Sequence, residues 1–253
     1  MRDCNAVKFP MEHKLQLHDD ATENPVNSTQ YKSVVGGLRY LVHTRPDIAY
    51  AVGIVSRYME GPTEIHYNAV KRICRYVKGT INYGLRYAKG RGNYILSGFS
   101  DSDLARSLDD RKSTGGMVFY LDENLITWVS QKQRCVALSS CEAEFMAATA
   151  AACQALCLQR VLGQIMDIKP GPVTIFIDNR SAVNLARNHV SHGRSKHIDL
   201  RYHFIRDCVE KGLFVIRHVS TNEQRADILT KALAAVKFEQ MRNLLGVKNL
   251  DNV

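Results

Sequence analysis

Residues 94–130 read YILSGFSDSDLARSLDDRKSTGGMVFYLDENLITWVS, and their pattern decides the fold. From Tyr94 to Asp101 polar and apolar residues alternate, placing Ile95, Ser97, Phe99 and Asp101 on one face of a strand. A charged loop over 108–113 leads to a second apolar segment at 117–121. Asn124 then turns the chain into 125–130, giving three short antiparallel strands in succession. Just beyond, Ser139 and Glu142 stand in capping-box spacing and open an alanine-rich helix, expected to reach about Leu162 and to stop at Gly163. Pro172 precedes the apolar run 173–177, the signature of a buried central strand, which ends in Asp178. A short helix over 181–188, a helix over 197–211 capped by Gly212, and a strand over 213–219 follow. Ser220 with Glu223 then opens a last helix, expected to carry Asp227 and continue through Phe238 and Leu245. The order β-β-β-α-β-α-α-β-α predicts an α/β fold, a mixed five-stranded sheet flanked by helices.

Upstream the pattern is helical. Tyr31, Val34, Val35, Leu38 and Leu41 form one stripe, Ile48, Val52, Val55 and Tyr58 a second, and Tyr67, Val70, Ile73 and Val77 a third. Lys71, Arg72, Arg75 and Lys78 fall largely on the other side of that third helix, as a track for a phosphate backbone or an ordinary solvent face. Residues 1–26 are polar and aperiodic and read as a flexible tether. The glycine and charge cluster around Asn93 marks a boundary, so the expected division is 1–26 tether, 27–90 helical segment, 93–247 α/β domain and 248–253 tail.

With 45% hydrophobic and 23% charged residues, the 253-residue chain can bury a core. Apolar runs such as 173–177 fall short of the ~18 residues that span a bilayer, so no membrane partner is expected. Residues 1–10 lack the apolar centre of a secretory leader, and the expected location is the cytoplasm or nucleus. The net charge of +9 favours polyanionic partners. The seven cysteines include no CxxC pair and read as buried free thiols.

Four acids stand at element ends: Asp101 and Asp178 close strands, and Glu144 and Asp227 lie in the first turns of helices. Such ends can converge on one edge of a sheet. Four carboxylates there repel one another unless divalent cations neutralise them, and two magnesium ions about 3.5–4 Å apart suit phosphodiester hydrolysis. Spacing alone does not settle the matter, and the alternative has Asp178 as a helix cap and Glu144 and Asp227 as solvated acids favoured by the helix dipole.

The motifs GFSDSD (98–103), DRKST (110–114), WVSQKQ (128–133), ALSSCEAE (137–144), IDN (177–179), RSKHID (194–199), RYHFIR (201–206), HVST (218–221) and QRADILTK (224–231) strongly resemble the ribonuclease H domain that ends the Pol polyprotein of copia-type LTR retrotransposons. Residues 31–41 and TRPDIA (44–49) resemble the segment joining the reverse transcriptase to that domain. The resemblance implies a ribonuclease H-like fold, with Asp101, Glu144, Asp178 and Asp227 as ligands of two Mg2+ ions, Mn2+ substituting. It also implies cleavage of the RNA strand of an RNA–DNA hybrid, leaving a 5′ phosphate. Asp103 shares the strand face of Asp101 and competes with it as first ligand; the resemblance favours Asp101.

His218 ends the last strand, where a histidine could ferry protons or assist product release, or serve only structure. Arg194, Lys196, Arg201 and Arg206 are candidates for phosphate contacts or a solvated charged face. Lys112 and Ser113 could touch the hybrid backbone, Ser113 alternatively capping locally; Asn179 lies in the IDN motif beside Asp178. Trp128, the single tryptophan, reads as core. Leu104-Ala-Arg106 and Gly115-Gly-Met117 depart from the tryptophan-alanine-glycine and serine-glycine-aromatic runs usual in the family, which puts the first hairpin in doubt. No Tyr-x-Asp-Asp polymerase motif occurs, so this chain alone is not expected to synthesise DNA. The expected partners are the hybrid and either a polymerase domain or a second copy of the chain. The rival expectation is a silent binding or interaction module with the same fold.

Overall fold

In the computed structural model, which describes residues 4–19, 22–89, 92, 94–187 and 196–252, the three upstream stripes become helices. Asn27 accepts the Gln30 amide and starts α1 (Ser28–Leu41). Arg45-Pro46-Asp47 breaks the run and leads to α2 (Ala49–Val55); Thr63 and His66 cap α3 (Glu64–Gly79) reciprocally. The break also carries a buried ion pair. Arg45 donates to both Asp47 oxygens at 2.9 and 2.7 Å and to the Thr80 carbonyl at 2.9 Å, while Tyr76 donates its hydroxyl to Asp47 at 2.6 Å.

Within the segment expected to be a flexible tether, residues 4–19 form a packed strap. Met11 and Leu17 are buried, Tyr58 donates to the Leu17 carbonyl, and Arg75 and Lys78 donate to the carbonyls of Asn5 and Cys4. Arg72 pairs with Glu12 at 2.8 Å. Three of the four cations that periodicity assigns to solvent or phosphate, Arg72, Arg75 and Lys78, therefore hold the chain's own strap. The expected tail also has a partner: β1 (Tyr83–Leu85) pairs antiparallel with residues 247–249.

The sheet follows the predicted order. β2 (Leu96–Ser102), β3 (Thr114–Leu121) and β4 (Asn124–Lys132) form an antiparallel meander, and the β2/β3 hairpin keeps seven paired positions despite Gly115 and Gly116. Ser139 caps α4 (Ser140–Met166) by accepting the Glu142 amide. Contrary to expectation Gly163 does not end it. The helix continues to Met166 and is closed by Asp167 in the left-handed region; a Cβ at Gly163 would meet the returning Ile168 carbonyl and Pro170 at 3.2 Å. The glycine thus serves a close approach instead of a cap. Among the described residues α4 is the one helix long and apolar enough to cross a bilayer, but its Ala148, Ala151, Ala152 and Ala155 pack on the sheet.

β5 (Val173–Ile177) adds parallel to β2, and after α5 (Arg180–Arg187) and α6 (Lys196–Glu210), β6 (Phe214–His218) adds parallel to β5. The order is β4-β3-β2-β5-β6. The last predicted helix is split: a 3-10 turn, Arg225–Leu229, carries Asp227, and α7 (Ala235–Leu245) begins only after a break, ending before β7 (Val247–Asn249). Gln224, not Ser220, caps the turn, whose Ile228 and Leu229 are buried. Apolar spacing over so short a stretch does not separate 3-10 from α.

Strand alternation sorts the core. Leu96, Phe119, Ile175 and Ile177 face α4, whereas Phe99, Val118, Tyr120 and Phe176 face α1–α3, the Asp227 turn and α7. Trp128 joins the second layer and donates its indole N–H to the Val42 carbonyl at 2.9 Å. All seven cysteines are free, but Cys208 alone is buried; Cys135, Cys153 and Cys157 are exposed.

Candidate active site

β2 and β5 are parallel neighbours, so their C-terminal ends deliver Asp101 and Asp178 to the same edge. The second turn of α4 brings Glu144 over that edge. Oxygen atoms of Asp101, Glu144 and Asp178 lie within 4.8 Å of one another. Asp101 is fully buried and Glu144 nearly so. The Ser102 amide donates to Glu144 Oε1 at 3.3 Å, while the buried Oε2 meets no hydrogen-bond donor among the described residues. Thr221 donates to Asp178 Oδ2 at 3.4 Å.

Asp227 is buried beside this trio but joins it through a cation of the chain itself. Lys231 Nζ stands 2.8 Å from Asp227 and 3.1 Å from Asp101. Thr230 donates its hydroxyl to Asp101, and the Asp227 turn comes this close because Gly116 has no side chain; a Cβ there would meet Thr230 and Leu229 at 2.7 and 2.8 Å. Burial, and then the charge of Asp101, pushes the carboxyls of Glu144, Asp178 and Asp227 above the usual range, Glu144 furthest. Burial opposes the Lys231 charge, yet Asp101 and Asp227 outweigh it and hold the ammonium protonated. An all-oxygen, electron-rich trio with one orphaned oxygen fits a hard divalent cation.

Asp103 lies apart from the trio. Its Oδ1 accepts the Thr114 amide at 2.8 Å, Oδ2 has no hydrogen-bond partner among the described residues, and it lines a cavity of about 280 Å³ with Tyr50, Arg57 and Arg106. Burial pushes its carboxyl up to about 6. The folded chain therefore holds a proton more tightly than the unfolded one, and stability is lost as pH rises through roughly 4 to 6. Asp103→Asn is expected to remove that loss, gaining up to roughly 3 kcal/mol over the parent at pH 7 and little at pH 4, as read by urea melts at the two pH values.

His218 is exposed, and its Nε2 lies 3.1 Å from the Asp178 carbonyl oxygen. Ser113 is fully buried and accepts the Ala105 amide, so it is a local cap and not a backbone contact. Lys112 is partly exposed and paired with Asp110. Asn179 caps α5 by accepting the Ala182 amide. Arg194 lies outside the described residues, as does the side chain of Lys196. Arg201 lines a cavity of about 210 Å³ with Lys132, Gln133 and Arg134, and its buried Nη1 has no partner among the described residues. Sequence reasoning missed Thr230 and Lys231, although the four-residue step from Asp227 to Lys231 is an ordinary pairing signal. It also missed Gln133 and Gln224, whose side-chain amides tie Ala143 and Ser102, and Ser100, to the site.

The sheet order, with the carboxylates gathered at the adjoining ends of β2, α4 and β5, defines a ribonuclease H-like domain. The chain belongs to the Pol polyprotein family of copia-type retrotransposons. It is 39% identical over 254 residues to the retrovirus-related Pol polyprotein from transposon TNT 1-94 of Nicotiana tabacum, covering 98% of this chain and 19% of that protein. It is 43% identical over 251 residues to the corresponding polyprotein from transposon RE2 of Arabidopsis thaliana, covering 98% and 17%. The chain thus spans less than a fifth of these relatives. Among solved structures it is similar to LC11-RNase H1, isolated from compost, with a TM-score of 0.41 and 18% identity over 54% of this chain and 93% of that one. No family model matches the chain.

Proposed function

We propose that this chain is a divalent-metal-dependent endonuclease that cuts the RNA strand of RNA–DNA hybrids. The observation that carries the reading is the trio of buried Asp101 and Glu144 with half-buried Asp178, in which Glu144 Oε2 meets no hydrogen-bond donor among the described residues. Asp101, Glu144 and Asp178 would hold one ion, and Asp101 with Asp227 a second. Mg2+ is the expected ion, with Mn2+ substituting; when bound, it activates water and stabilises the departing oxygen in phosphodiester hydrolysis.

The protein's own groups set the stage. The Ser102 amide orients Glu144, and Thr230 and Lys231 fix Asp101. His218 stands in solvent beside Asp178, suited to passing a proton to or from the leaving strand. Arg201, Lys132 and Arg134 line a cavity beside α4 that has no acidic lining among the described residues, which suits a phosphate backbone. Residues 27–90 would be the connection to a polymerase part, with which the chain would work; the palm motif itself is missing from this sequence.

A labelled RNA–DNA hybrid incubated with the purified chain and Mg2+ or Mn2+ tests this. Cleavage of the RNA strand that chelation stops, and that Asp178→Asn lacks, supports the enzyme. Hybrid binding without cutting under either ion supports the silent module instead.

A further inference from the structure

Four carboxylates sharing one central member make two adjoining cation positions, and this chain treats them differently. On one side Asp101, Glu144 and Asp178 meet without a cationic side chain within hydrogen-bond distance of Glu144 or Asp178 among the described residues. On the other, between Asp101 and Asp227, the Lys231 ammonium sits at 3.1 and 2.8 Å. We infer that Lys231 is a resident counter-ion at the second cation position, so that the chain takes one divalent ion at the open trio and admits a second only when the ammonium leaves. This inference rests on the metal reading proposed above.

Three features support it. The ammonium contacts the same carboxylates a second ion would need, and two cations cannot share those oxygens. Its position is built: Lys231 follows Asp227 by four residues on a turn whose approach Gly116 permits, and Thr230 presents Asp101 to it. It also has a way out, because the Lys231 side chain keeps 28% of its surface exposed while Asp101 keeps none. A lysine stem is flexible, so the head can swing to solvent or to an incoming phosphate without unfolding the turn. Lys231 is therefore a positioning residue that couples occupation of the second position to its own displacement.

Titration of the metal-free full chain with Mn2+, followed by calorimetry and by the spin signal of free Mn2+, tests this without reference to turnover. One tight ion per chain is expected for the parent and for Lys231→Arg. Lys231→Met is expected to bind two, its second ion tighter than the parent's by more than about tenfold, since a unit positive charge a few ångströms away opposes a divalent ion strongly at protein dielectrics. The metal-free Lys231→Met chain should melt lower and recover with Mn2+, because two buried carboxylates have lost their partner. Two ions of equal affinity on the parent overturn the inference, whether or not the variant folds. A folded Lys231→Met that still takes one ion overturns it as well. No Mn2+ on either chain overturns the metal reading beneath it, an outcome distinct from the other two.

Discussion

Asp101→Asn is expected to lower hybrid cleavage by more than about 100-fold while leaving the metal-free protein as stable as its parent or more so. The expected loss of activity follows from position: residues that merely support a metal ligand are worth 10–100-fold, and Asp101 is the member common to both proposed cation positions. The stability sign follows from charge. Asp101 is a leading source of the repulsion that raises the carboxyls of Glu144, Asp178 and Asp227, and asparagine keeps an acceptor for Thr230. One attraction, to Lys231, is lost against three repulsions relieved, and Lys231 retains Asp227. Single-turnover cleavage and thermal melts in chelator measure both. A variant that cuts within a few-fold of the parent would remove Asp101 from the chemistry; one that melts well below it would show that Asp101 serves stability.

Asp47→Ala is expected to cost about 3–5 kcal/mol of folding stability, the effect of leaving a buried charge without its partner. Arg45 and Asp47 are almost wholly buried, and Arg45 also closes onto the Thr80 carbonyl while Tyr76 donates to Asp47. Removing the carboxylate strands the guanidinium between α1 and α3 and takes the acceptor from Tyr76. Replacing Arg45 and Asp47 together by methionine and leucine should recover most of the loss, because both charges of the pair are removed and neither is left without the other. Urea denaturation of the parent, single and double variants decides it. A cost under about 1 kcal/mol for Asp47→Ala would mean that water reaches the pair.

Much of the α/β half was legible because its signals are local. Alternation from Tyr94 marks β2, Ser139 with Glu142 marks the start of α4, and the apolar run before Asp178 marks β5, each within a few residues of the element it specifies. The upstream helices were legible for the same reason. The strap over 4–19, the β1–β7 pair and the packed end of the chain were not. Polar, aperiodic segments carry no periodic signal, and their partners on α3 or across the sheet lie far away in sequence. The Asp227 helix was misjudged because its register allows both one long α-helix and a 3-10 turn, a break and α7. For Ser113 the sequence leaves contact and local cap both open, because its burial depends on how its loop folds back onto Ala105.

By itself the sequence determined the order and type of most elements, from α1 through β6, and the residue types at their ends, since backbone preference, capping and alternation act between near neighbours. Tertiary structure alone decided which acids meet. Asp101 joins Glu144 and Asp178 while Asp103, two residues on, turns to a separate cavity, and Lys231 comes to stand between Asp101 and Asp227. Those outcomes depend on the parallel pairing of β2 with β5, the packing of α4 on the sheet and the approach allowed by Gly116. Electrostatic neighbours are set by distance through space, which residue spacing along the chain does not measure.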